Sequence, residues 1–122
     1  MKNILITGAS GFIGSFLVEG ALERDWNTWA GIRKTSSHKY LQNDKTCFID
    51  LNFADKDKLK MQILNHIAVY GKWDYVIHNA GVTKSLNKSD FEKVNYLYTR
   101  HLIEALQETQ AIPEKFILMG RK

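Results

Sequence analysis

Three glycines, Gly8, Gly11 and Gly14, recur at every third position near the start of the 122-residue chain. A short apolar run, Asn3 to Thr7, precedes them, and an amphipathic stretch from Phe12 to about Arg24 follows. A strand, a glycine turn and a helix in that order make a cradle for phosphate. The N–H groups of the first helical turn and the positive end of the helix dipole both face the anion. In a dinucleotide-binding turn Gly8 permits the tight bend, Gly11 lets the backbone approach a pyrophosphate, and Gly14 lets the helix pack close to the strand. Ser10, Phe12 and Ile13 lie within the same turn and join the candidate cofactor-binding set. Taken alone, a glycine turn that only joins a strand to a helix reads the same way.

The tip of the next strand decides which dinucleotide. An acid there bonds the ribose 2′-hydroxyl of NAD, and a basic residue accommodates the 2′-phosphate of NADP. From Asn27 to Gln42 the chain has no acidic residue and offers Arg33 and Lys34 instead. A guanidinium suits phosphate, so NADP is expected over NAD. Read as residues alone, Arg33 and Lys34 also fit a solvated loop, and Asp50 fits a strand-end or helix-capping acid.

These groups need elements to hold them. Apolar runs predict five strands: Asn3–Thr7, Asn27–Ile32, Thr46–Leu51, Tyr75–His78 and Lys115–Met119. Helical spacing predicts helices over Phe12–Arg24, Asp55–Tyr70 and from Ser89 to about Glu108, the last opened by a capping box, Ser89-x-x-Glu92. Their inward faces are expected to be Phe12, Ile13, Phe16, Leu17 and Leu22; Leu59, Ile63, Leu64, Ile67 and, at the end of the helix, Tyr70; and Val94, Leu97, Leu102, Ile103 and Leu106. Alternating strands and helices of these lengths imply parallel crossovers. The fold class is α/β in three layers, with a parallel sheet of about five strands in the order 3-2-1-4-5.

Composition narrows the function. The net charge is +4, but the lysines are scattered and no basic stripe carries interleaved aromatics, so nucleic acid is not an expected partner. No apolar run approaches the ~20 residues that span a bilayer, so no membrane partner is expected either. Met1-Lys2-Asn3 leads directly into a strand, which argues against a signal peptide, and Cys47 stands alone. A cytoplasmic location is expected. Cys47 is read as a small buried hydrophobe, His66 as a surface helix residue and His78 as a buried strand residue bonded to backbone. No metal site is expected, because no second ligand stands at metal spacing.

The string Thr7-Gly8-Ala9-Ser10-Gly11-Phe12-Ile13-Gly14 resembles the nucleotide-binding turn of the extended short-chain dehydrogenase/reductase superfamily, which holds nucleotide-sugar epimerases, dehydratases and dihydroflavonol-type reductases. Asn79-Ala80-Gly81-Val82-Thr83 is similar to the small-residue turn that lines the cofactor after the fourth strand, and Asn95 matches a family asparagine on the following helix. The resemblance implies a Rossmann fold, an NADP cofactor and adenine contacts from Asp50 and its neighbour Leu51. It places Thr83 toward the nicotinamide or substrate. Family members carry a catalytic Ser or Thr after the fifth strand and then a Tyr-x-x-x-Lys pair. Neither follows here, where the fifth strand runs into Met119-Gly120-Arg121-Lys122. Residues 1–122 are therefore expected to be the nucleotide-binding half of a longer relative, truncated before the substrate domain and inactive alone. The small-molecule substrate belongs to the full-length parent. An alternative is a non-catalytic dinucleotide sensor or interaction module. A homo-oligomer through the exposed fifth strand is expected.

Overall fold

In the computed structural model, residues 1–33, 41–79 and 88–119 are described, with backbone alone for 88–92. The elements run β1 Asn3–Thr7, α1 Phe12–Glu23, β2 Asn27–Gly31, β3 Cys47–Ile49, α2 Lys56–Tyr70, β4 Tyr75–Asn79, α3 Lys88–Glu108 and β5 Lys115–Met119. The five strands form one parallel sheet in the order β3-β2-β1-β4-β5. Order and element sequence match the expectation, with no boundary moved by more than two residues.

Side chains alternate across β1, so one strand feeds two cores. Leu5 joins Leu59, Ile63, Trp73, Val76, Leu102 and Leu106 under α2 and α3. Ile4 and Ile6 join Val18, Ala21, Ala30 and Leu41 under α1. The helices are punctuated as their ends require. Asp55 caps α2 by accepting from the Lys58 N–H at 3.2 Å. Gly71, at φ 87°, closes that helix and donates its N–H to the Ile67 carbonyl. Asp50 is therefore not the capping acid of α2.

Several inward faces differ from the expected ones. On α1 the buried residues are Gly14, Ser15, Val18 and Ala21, whereas Phe12 and Phe16 are 71% and 72% exposed and Ile13 is exposed too. The helix lies so close to the turn that a Cβ on Gly14 would stand 2.4 Å from the Gly8 carbonyl oxygen. Only small side chains fit such a contact, and the large apolar ones turn outward. Gly20 has open space around it and marks no close packing. Leu64, Tyr70, Leu97 and Ile103 are also exposed. Cys47 is exposed, because β3 pairs with β2 alone among the described strands. His66 is buried rather than on the surface. It stacks on Trp73 at 4.3 Å between ring centroids and meets the edge of Trp29 at 4.4 Å. Burial holds its pKa below the ordinary histidine value. The side chains of Ser89 and Glu92, and with them the capping box, lie outside the described residues.

Candidate dinucleotide-binding site

The C-terminal ends of the parallel strands all open on one edge of the sheet. β1 stands in the middle, flanked by β2 on one side and β4 on the other. From β1 the chain turns back through α1 to β2, and from β3 it crosses through α2 to β4. The crevice between those two directions is where α/β sheets take ligands.

The glycine turn sits at that point. Gly8 has φ 60°, and a Cβ there would meet the Asn79 carbonyl oxygen at 2.3 Å. Gly14 is fixed by its contact with the turn. Gly11 differs, because a Cβ built on it meets nothing within 4 Å. Its φ of −79° suits any residue. Packing therefore demands Gly8 and Gly14 but leaves Gly11 facing open space at the head of α1. Gly11 is also the N-cap and brings no side chain to the first-turn N–H groups, and that turn has no acid. N–H groups of a first helical turn have no acceptors within the helix. The arrangement leaves first-turn N–H groups beside open space, the form of a backbone cradle for an anion.

A buried polar relay holds this turn to β4. Thr7 Oγ1 lies 2.7 Å from His78 Nδ1 and accepts from the Asn79 N–H at 3.1 Å. The Asn79 side-chain amide donates to the Gly8 carbonyl at 3.2 Å. The Thr7 hydroxyl has one proton and two lone pairs, so while it accepts from the Asn79 N–H its bond with His78 Nδ1 runs in the direction the ring tautomer sets. His78 is 4% exposed and lies against the Phe53 ring, and burial pushes its pKa down to about 4. It is a strand residue bonded to a side chain rather than to backbone. Sequence alone hid this relay, since Thr7 and His78 are separated by 71 positions and meet only through the β1–β4 register.

The remaining candidates divide by place. Ser10 is half-buried in the turn, and Phe12 and Ile13 open α1. Arg33 is exposed two residues beyond the end of β2. Asp50 is exposed immediately after β3. Leu51 sends its side chain into the core, which leaves its backbone for any ligand. Asn79 ends β4, while Asn95 is half-buried on α3, the helix on the other face of the sheet from α1. Lys34, Ala80, Gly81 and Thr83 lie outside the described residues.

The family model for the NAD dependent epimerase/dehydratase family matches residues 4–120. The chain belongs to this family. Among curated proteins, the bovine (Bos taurus) 15-hydroxyprostaglandin dehydrogenase [NAD(+)] is 32% identical over 100 residues, covering 75% of the chain and 36% of the dehydrogenase. Two solved structures share the fold. The Bordetella bronchiseptica enzyme WbmH, in complex with NAD+, aligns with a TM-score of 0.68 at 22% identity, over 91% of this chain and 37% of its own. A yeast methylglyoxal/isovaleraldehyde reductase, complexed with NADPH, aligns with a TM-score of 0.74 at 16% identity, over 95% and 36%. This epimerase/dehydratase-family chain thus spans little more than a third of these relatives. Among its described residues no helix is long and apolar enough to cross a membrane.

Proposed function

We propose that residues 1–122 form the NADP-binding domain of an extended short-chain dehydrogenase/reductase. The parent enzyme would be a nucleotide-sugar epimerase or dehydratase, or a carbonyl reductase. The observation that carries this is the turn in which packing requires Gly8 and Gly14 while Gly11 faces open space. In this reading the turn residues Gly8 to Gly14 hold the pyrophosphate. Arg33 and Lys34 meet the 2′-phosphate, and Asp50 with the Leu51 backbone meets the adenine. Asn79, Ala80, Gly81 and Asn95 line the nicotinamide side. The bound dinucleotide would supply a hydride acceptor and donor. The chain's own residues bind and orient it, and the contacts of Thr7 with His78 and Asn79 tie the turn to β4 from beneath.

The relatives named above are recorded with both NAD and NADPH. The preference for NADP here rests on Arg33 and Lys34 and on the lack of an acid from Asn27 to Gln42. No Tyr in the chain is followed by Lys at the fourth position. Binding without turnover is therefore the expected behaviour of these residues, with the substrate held by other parts of a full-length parent in the cytoplasm. The selectivity is tested by titrating wild type and Arg33→Ala with NADPH and NADH. Loss of a charge-assisted phosphate contact should weaken NADPH about tenfold and leave NADH nearly unchanged. Equal losses for both would remove Arg33 from the 2′-phosphate site.

A further inference from the structure

The segment after β3 is held more firmly than an exposed connection needs. β3 has only three residues and pairs with β2 on one side among the described strands. The Ile32 N–H still reaches the Ile49 carbonyl at 3.0 Å. Beyond that point Gln62, on the second turn of α2, uses both ends of its amide. Its Nε2 donates to the Asp50 carbonyl at 3.1 Å, and its Oε1 accepts from the Asn52 N–H at 2.8 Å. Leu51, between the two, is anchored in the core. Asn52 Oδ1 then accepts from the Ala54 N–H at 3.1 Å, and His101 Nδ1 donates to the Phe53 carbonyl at 2.6 Å. The Asp50 side chain meanwhile stands exposed at the sheet edge that carries the glycine turn.

We propose that Gln62 is a positioning residue for adenine recognition: its two-ended clamp on the Asp50 and Asn52 backbone fixes the Asp50 carboxylate and the Leu51 backbone toward the base. The inference rests on the dinucleotide reading above and adds to it the residue that sets base selectivity. The physical reason is preorganisation. A carboxylate on a loose segment can accept from the adenine 6-amino group only by ordering that segment at the moment of binding, which subtracts from affinity. No other side chain of similar length both donates to one carbonyl and accepts from an N–H two residues on.

The test uses the whole chain with NADPH and its hypoxanthine analogue, in which the 6-amino donor is replaced by a carbonyl oxygen. A site aimed at that donor rejects an analogue lacking it. Wild type is expected to prefer the adenine form by about tenfold. Gln62→Leu is expected to weaken NADPH about tenfold and the analogue by less than about twofold, so that the preference disappears. Thermal unfolding is followed in parallel. Gln62→Glu keeps the acceptor for the Asn52 N–H but replaces the donor with a carboxylate oxygen facing the Asp50 carbonyl. It guards against failure of the leucine variant to fold, and should give a loss in the same direction. Two results overturn the inference while leaving the dinucleotide reading intact. Wild type binds both forms alike, or a folded variant retains the preference, as it would if both ligands weakened equally. Failure of wild type to bind either ligand overturns the dinucleotide reading and this inference together.

Discussion

At the scale of single residues, the glycines separate structural demand from ligand demand. Gly8 combines a left-handed φ with a Cβ position blocked by backbone. Gly8→Ala is expected to cost more than about 2 kcal/mol in urea unfolding. Gly11→Ala puts a methyl into open space, so its cost should stay within about 1 kcal/mol while dinucleotide affinity falls at least about tenfold. A stability loss at Gly11 equal to that at Gly8 would return the turn to a purely structural role. The two buried histidines set the pH dependence. Both pKa values lie below the ordinary value of 6.5, His78 at about 4. The unfolded chain then takes up protons that the native chain refuses, so stability is full above about pH 6.5 and falls as pH drops toward about 4. His78 accounts for up to about 3 kcal/mol of that fall. Denaturant titrations at pH 7.5, 6 and 5, with and without His78→Gln, measure it. A flat profile would place a charged histidine in the core. These histidines were only partly legible. The strand period buried His78 correctly; His66 falls on the stripe that Leu59 and Ile63 begin, so its burial was legible in the spacing, while Trp29 reaches it from β2.

At the scale of elements, the strands and helices were legible because apolar runs, glycine stops and Asp55 marked them locally. The inner face of α1 was not. Hydrophobic periodicity weights large side chains, whereas close approach to the glycine turn selects Gly14, Ser15, Val18 and Ala21. The consequence is measurable. Phe16→Lys should change stability by less than about 0.5 kcal/mol, and Val18→Ala should cost about 2 kcal/mol. The reverse ranking, read from chemical melts, would put the aromatic stripe back in the core. On the other face, α2 and α3 are laced by Lys56 and Lys60 with Glu104 and Glu108 at 3.1–3.6 Å. These pairs are partly exposed and screened by salt, so packing of Leu59, Ile63, Leu102 and Leu106 holds the two helices together.

At the scale of the whole molecule, the sheet order followed from the alternation of elements and from the family resemblance. The site followed only in part. The glycine turn and the strand ends that face it lie where sequence put them, but the Thr7–His78–Asn79 relay and the Gln62 clamp depend on register and loop closure that local patterns do not encode. Among the described strands β5 pairs with β4 alone, and Ile117 and Leu118 on it are exposed. An apolar edge strand invites pairing with a second copy. Light scattering should therefore find a dimer or larger species at high concentration, converted to monomer by Ile117→Lys with Leu118→Lys. A monomeric wild type would remove that edge as an interface.

The most direct measurement is a calorimetric titration of the chain with NADPH and NADH, repeated on Gly11→Val. A cradle at the glycine turn predicts NADPH binding in the range of about 1–100 μM, NADH about tenfold weaker, and neither bound by a Gly11→Val protein that still unfolds cooperatively. Absence of binding to wild type, or binding untouched by the valine, would contradict it.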